Sequence, residues 1–189
     1  MEGTSRSGKL APRNPWKTPE PNSSRMPTKV LVTPRRWDLA IKKALFDHLL
    51  LGGSPNAVKL YRWHIEARKA SNAKLGLGMD GKADTNTYIE TAAALCASMA
   101  LRGFIDVPEW RIPVDPNGEL LGGAHRVACA LALEIEEVPV VRMPQPCWAP
   151  PWGEQWFIDH GMAGEDLERL RSDFKLIADD AKLRLPSAV

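Results

Sequence analysis

The sequence predicts an α+β domain, a small mixed sheet with helices packed on it and a helical extension on the N-terminal side. Three observations carry this. Apolar residues recur every three or four positions over several long stretches, as amphipathic helices require. One stretch between them, residues 110–141, alternates and turns as strands do around a Gly-Gly step. The 189 residues are 44% hydrophobic and 25% charged, which suits one globular core and excludes a wholly disordered or fibrous chain.

Residues 1–29 are expected to form a disordered basic arm. They hold five prolines and many Ser, Thr and Asn residues, and their six basic side chains face only Glu2 and Glu20. Such a composition buries too little apolar surface to offset chain entropy. Because the whole chain is only +2, the remainder is net acidic and lacks the positive excess of a DNA-binding domain. A basic arm is still able to touch nucleic acid, so that partner is kept as an alternative.

Residues 30–85 read as an N-terminal helical region. Lys29-Val30-Leu31-Val32 gives a short extended run, and Thr33-Pro34 is a helix start signal, with Thr as N-cap and Pro in the first turn. Trp37, Ile41, Leu45 and Leu49 follow at helical spacing until Gly52-Gly53. Ser54-Pro55 starts a second helix, with Val58, Tyr61 and Ile65 on one face, running to about Ala70. Residues 72–84, with Gly76, Gly78 and Gly81, read as a mobile connection.

Residues 86–143 form the expected core segment. A helix from Thr87 to Leu101 ends at Gly103, the residue suited to a left-handed C-terminal position. Trp110, Ile112 and Val114 alternate as a strand, Asp115-Pro116-Asn117-Gly118 is a turn, and Glu119-Leu120-Leu121 returns, giving a hairpin. Gly122-Gly123 opens a helix carrying Val127, Ala130, Leu131 and Leu133, and Val138–Val141 is a further strand. Residues 144–189 read as a Pro/Trp-rich connector and a final helix, Glu165–Leu183, with Leu167, Leu170, Phe174 and Ile177 on its apolar side. Trp148, Trp152 and Trp156 are assigned to sealing that helix onto the core, with stacking on a base or sugar as the alternative.

Cys96, Cys129 and Cys147 match no zinc or CxxC spacing, and Cys96 and Cys129 sit among small apolar residues as buried thiols do. No apolar run approaches the roughly 20 residues of a membrane span, and the N-terminus carries no signal-peptide core. A cytoplasmic protein is therefore expected.

The chemistry lies in Gly118–Val141. A strand, two glycines and a helix start aim several backbone N–H groups at one point, where the helix dipole adds partial positive charge. A phosphate suits that point. His125 and Arg126 in the first helical turn add charge-assisted donors, and a guanidinium holds two phosphate oxygens in a fixed fork. A purely structural strand-to-helix turn is the competing reading.

On these residues the sequence resembles the ParB/sulfiredoxin superfamily, over roughly Tyr88 to Met143. The order of elements and the Gly122-Gly123-Ala124-His125-Arg126 signature carry the likeness. Sulfiredoxins have Gly-Gly-Cys-His-Arg here and bind ATP phosphates with the loop, so Ala124 stands where their catalytic cysteine would be, and sulfiredoxin chemistry is not expected. The free-serine kinases of the superfamily have Asp-Gly-His-His-Arg. Arg35-Arg36-Trp37-Asp38, Lys42 and Tyr61-Arg62-Trp63-His64-Ile65 look like patterns in uncharacterised proteins of bacterial surface-polysaccharide loci. The resemblance implies a nucleotide-binding phosphotransferase, an ATP-dependent kinase of a small hydroxylated metabolite using ATP (or ADP) and Mg2+. The alternative is a ParB-like nucleic-acid-binding or nucleotide-switch module without metabolic activity.

The candidate residues follow. Gly122, Gly123, Ala124, His125 and Arg126 are assigned to the nucleotide. Arg36, Tyr61, His64 and Arg68 are assigned to the acceptor; the last three share one helical face, for which a polar edge of the core is the competing and favoured reading. His125, Glu119 and His64 are the catalytic candidates. Asp38, Glu66 and Asp115 are further carboxylates to consider, Asp115 chiefly as a turn residue. No metal ligands are assigned on the protein.

Overall fold

A computed structural model describes residues 23–74, 84–147 and 152–183. In chain order these form β1 (Ser23–Pro27), α1 (Asp38–Leu51), α2 (Pro55–Lys74), α3 (Thr85–Arg102), β2 (Ile112–Val114), α4 (Ala124–Ala132), β3 (Glu137–Arg142), α5 (Glu154–Asp159) and α6 (Gly164–Leu183), with 3-10 turns at Thr28–Leu31 and Pro108–Trp110. The class is α+β. The sheet has the order β1-β3-β2, with β1 antiparallel and β2 parallel to β3. The β2–α4–β3 segment is thus a parallel crossover unit, and the turn between β2 and α4 is the strand-to-helix step that the glycines occupy.

α1 is the hub. It packs against α2, α3, α4 and α6, and Leu39, Ile41, Leu45 and Phe46 along it are at most 2% exposed. A helix apolar on several sides belongs in the interior. The helical segment before residue 85 and the segment after it share one apolar cluster, from Leu39, Tyr61 and Ile65 to Met99, Val127 and Val140. Gly52 ends α1 at φ +68 and donates its N–H to the His48 carbonyl, the left-handed stop expected of glycine.

Several boundaries differ from the sequence expectations. The arm does not extend to residue 29, because Ser23–Pro27 forms β1, with Arg25 opposite Pro139 and Met26 opposite Val138. Thr28 then anchors the turn, its N–H on the Glu136 carbonyl at 2.8 Å and its hydroxyl on the Ile135 carbonyl at 2.6 Å. A backbone ladder needs no apolar side chains, which is why a polar, proline-bounded edge strand leaves little trace in composition. The Val30-Leu31-Val32 run is not extended; Thr28–Leu31 is a 3-10 turn with Leu31 fully buried.

α1 starts at Asp38, four residues after Pro34, because Arg36 is held in a bridge with Trp152. The predicted hairpin shrinks to a single bridge, Val114 with Leu120, and Trp110 belongs to a 3-10 turn. α2 continues past Ala70 to Lys74. The rest of the expected mobile connection, 75–83, lies outside the described residues, as do 1–22 of the arm, Trp148, Pro150 and Pro151. Among the described residues, no helix is long and apolar enough to cross a membrane.

Candidate functional site

The turn before α4 is built from its own side chains. Asp115 Oδ1 accepts the N–H groups of Asn117 and Glu119, each at 2.8 Å, and Oδ2 accepts that of Cys147 at 3.1 Å. Burial pushes this carboxyl up, but the backbone donors from Glu119, Cys147 and Asn117 outweigh it and hold the group below its ordinary range. Asp115 is a turn residue, as its position in Asp-Pro-Asn-Gly suggests.

The two glycines have a packing reason to be there. Gly123 caps α4 at φ +77, and a Cβ on it would stand 2.9 Å from Ile112 Cδ1. A Cβ on Gly122 would stand 3.3 Å from Pro113 Cγ. The loop is therefore pressed onto β2, and this closeness brings the first turn of α4 up to α3.

Between them lies a pocket of about 240 Å³ lined by Tyr88, Thr91, Ala92 and Leu95 of α3 and by Gly123, Ala124, His125 and Arg126. The first N–H groups of any helix lack an acceptor within the helix, and here that end forms one wall. The volume is below the roughly 300 Å³ at the lower end for drug-sized ligands. It suits a phosphate chain better than a whole nucleotide.

His125 Nε2 shares a 2.7 Å hydrogen bond with the hydroxyl of Tyr61, which is itself fully buried. That contact fixes the imidazole from the α2 side. Arg126 is less available than a solvent-facing phosphate ligand would be. Its Nη1 donates to the carbonyls of Glu109 at 3.3 Å, Trp110, and Arg111 at 3.4 Å, closing the 3-10 turn before β2. Burial lowers its pKa, though a guanidinium stays charged in proteins. Its Nη2 and Nε lie on the Gly123 side, 3.1 and 3.4 Å from where a Cβ there would stand.

A second polar group lies inside the protein, between α1, α2 and α5. Arg36 forks onto Asp38, Nε to Oδ1 at 2.8 Å and Nη2 to Oδ2 at 2.9 Å, and its Nη1 reaches the Leu120 carbonyl at 3.0 Å, just before the loop. Lys42 joins the same carboxylate at Oδ2. Trp152 covers both cations, with Arg36 5.0 Å and Lys42 Nζ 5.8 Å from its ring centroid. Burial would raise the Asp38 carboxyl, but the charges of Arg36 and Lys42 prevail and hold it far below its ordinary range. Burial also pulls the Lys42 ammonium down to about 8 against the pull of Asp38.

His64 is fully buried beside this group, its ring 5.7 Å from those of Trp156 and Phe157. Neither of its ring nitrogens has a hydrogen-bond partner. Burial, then the Lys42 charge, depresses its pKa well below the ordinary value, so it is held neutral. Arg68, one turn further along α2, donates from Nη2 to the Tyr88 hydroxyl at 3.2 Å, and so reaches the pocket wall.

Gly123, Ala124, His125 and Arg126 therefore line one pocket, with Tyr61 behind His125 and Arg68 behind Tyr88. Arg36 and His64 do not line it; they belong to the buried group. Glu119 also stays out, its Oε2 accepting from the Thr33 hydroxyl at 3.1 Å. Glu66 accepts from Thr85 on the outer side of α2. Sequence reasoning did not single out Tyr88 or assign Lys42 a role. The spacing of Asp38 and Lys42, four apart on a helix, is a signal for an ion pair; Tyr88 gives none, because its role arises from the packing of α3 on α4. Cys96 and Cys129 are buried as expected, and burial pushes the Cys129 thiol up to about 12. Comparison of the chain with protein-family models, with curated proteins and with solved structures finds no match in any of the three.

Proposed function

We propose that this chain is a cytoplasmic nucleotide-binding phosphotransferase of ParB/sulfiredoxin-like fold, which holds the phosphates of ATP at the Gly122–Arg126 loop and phosphorylates a small hydroxylated metabolite. The supporting observation is the pocket whose wall is the N-terminal turn of a nine-residue helix, with His125 fixed in it by Tyr61.

ATP would supply the transferable phosphoryl group, and Mg2+ would neutralise charge on its oxygens. Magnesium at such sites takes one or two carboxylates and otherwise phosphate and water oxygens; the residues that line the pocket include no carboxylate and Glu119 is engaged by Thr33, so phosphate and water oxygens would hold the ion here. The α4 amide N–H groups donate to the phosphate oxygens, and Ala124 keeps that approach free of a bulky side chain. Arg126 adds charge from its Gly123-facing nitrogens while its third nitrogen keeps the turn before β2 in place. Tyr61 engages His125 through Nε2 and so holds its ring in the pocket wall. The acceptor is placed on the α2 side, towards Tyr61, His64 and Arg68.

The test is a calorimetric titration with ATP and ADP in the presence of magnesium, followed by incubation with a metabolite pool and mass spectrometry. The reading predicts saturable nucleotide binding and a product heavier by one phosphoryl group. Absence of nucleotide binding refutes it.

A further inference from the structure

A second pocket, of about 200 Å³, lies between α1, the start of α2 and α6, and shares no residue with the pocket at α4. Its apolar lining is small, with Ala44 from α1, Ala57 from α2 and Ile177 from α6. Two ion pairs complete it, one on α1 and one on α6, so the lining carries two cations and two carboxylates. The pairs are not alike. Lys43 Nζ donates to both oxygens of Asp47, at 3.0 and 2.8 Å, which closes that pair on itself. Arg169 Nε stands 3.8 Å from Asp173 Oδ2, too far for a hydrogen bond. Among the described residues neither of these two side chains makes one. A guanidinium has five N–H donors and an ionised carboxylate only accepts, so a donor fork and an acceptor stand side by side on the α6 wall, both left to solvent or to a ligand. Burial pushes the Asp173 carboxyl up in spite of Arg169 and Lys43, so the cations already there do not offset its loss of water. A lone anion in this pocket would meet Asp173 and Asp47, and a lone cation would meet Arg169 and Lys43. A molecule that carries both charges meets neither penalty.

We propose that the pocket between α1, α2 and α6 binds a small zwitterion, with Arg169 taking its acid group, Asp173 its ammonium group, and Ala44, Ala57 and Ile177 a short aliphatic body. At about 30 Å³ for each water-sized group, the volume admits a ligand of roughly seven such groups, the size of a small amino acid such as valine. Entry between Arg169 and Asp173 gives up little, because a partly exposed ion pair without a hydrogen bond contributes little by itself. The site stands apart from the phosphotransferase reading.

The test titrates the full chain at pH 7 with L-valine and, separately, with its two halves: isobutylamine, which lacks the acid group, and isovalerate, which lacks the ammonium. Calorimetry reads affinity, and the NMR signals of the Ala44 and Ala57 methyl groups read location. L-valine is expected to bind saturably and to shift both methyl signals, and each half to bind at least tenfold more weakly. Asp173→Asn and Arg169→Met, at side chains that are partly exposed, are each expected to weaken L-valine binding at least tenfold. Lack of saturable L-valine binding, equal binding of either half, methyl signals unmoved at saturation, or unchanged affinity in either variant overturns the proposal. No nucleotide enters this test, so a failure of ATP to bind at α4 leaves the zwitterion site standing, and a failure of valine to bind leaves the phosphotransferase reading standing.

Discussion

Arg126, in the first turn of α4, and Arg36, which reaches the Leu120 carbonyl just before that helix, are two arginines satisfied in different ways. Arg126 spends one nitrogen on neutral backbone carbonyls beside a pocket. Arg36 is 5% exposed, spends two nitrogens on a carboxylate, and shares that carboxylate with a buried lysine. A cation on carbonyls keeps its charge uncompensated and so remains attractive to an anion. A cation on a buried carboxylate is neutralised locally, and the interior depends on the pair staying whole. The first arrangement suits a ligand; the second suits a scaffold.

The largest effect expected on this contrast is at Asp38. Asp38→Ala leaves Arg36 and Lys42 buried without their anion, and breaking a buried pair by removing one partner costs about 3–5 kcal/mol. Urea denaturation measures it, and a loss under 1 kcal/mol would mean that water already compensates these charges. Arg126→Ala comes next. Losing the donor that gathers three carbonyls before β2 should cost about 1.5–3 kcal/mol, the range for hydrogen bonds to a charged group. A variant as stable as the wild type would show that these carbonyl contacts do not support the turn before β2.

Gly123→Ala is expected to cost about 1–2 kcal/mol from the left-handed backbone alone, with a further loss as Ile112 gives way. Nucleotide binding should fall with it, because the loop would lift from β2. Thermal melts and the same ATP titration check both parts.

The smallest effect is a slope. His64 is held neutral in the folded chain, with its pKa below the unfolded value near 6.5. The unfolded state therefore binds the extra proton first, and stability is lost as pH falls below about 6.5 towards the folded value, by up to about 1.4 kcal/mol per pH unit. His64→Phe, packed against the same Trp156 and Phe157 rings, should lack that loss. Stability curves of the two that run parallel from pH 7 to 5 would show that His64 does not titrate as its burial requires.

The helices were legible because each has both a period and a punctuation mark: Ser54-Pro55 before α2, Gly52 and Gly103 after α1 and α3. β1 was not, since its stability comes from backbone pairing with β3, which leaves no mark on Ser-Ser-Arg-Met-Pro. The start of α1 was misplaced because Thr33-Pro34 carries a helix signal that the Arg36–Trp152 bridge overrides, a contact more than a hundred residues apart in sequence. At the site, the Gly-Gly-x-His-Arg step was visible as a unit. Its division into a pocket and a buried charge group was not, because Tyr61, His64 and Arg68 share a helical face in sequence while each meets a different partner in space.

On the proposed function the N-terminal turn of α4 receives phosphate, and Ala124→Asp puts a charge at that point. Ala124 is the first residue of α4 and lines the pocket. An acidic residue in a first helical turn favours the helix through its dipole, so the fold should be kept or slightly stabilised while a negative charge occupies the place of the phosphate. Titrated with ATP and magnesium beside the wild type, the variant is expected to bind at least tenfold more weakly, about 1.4 kcal/mol, with an unchanged melting temperature or a higher one. Equal affinity in the two proteins would contradict the account and place any nucleotide elsewhere on the chain.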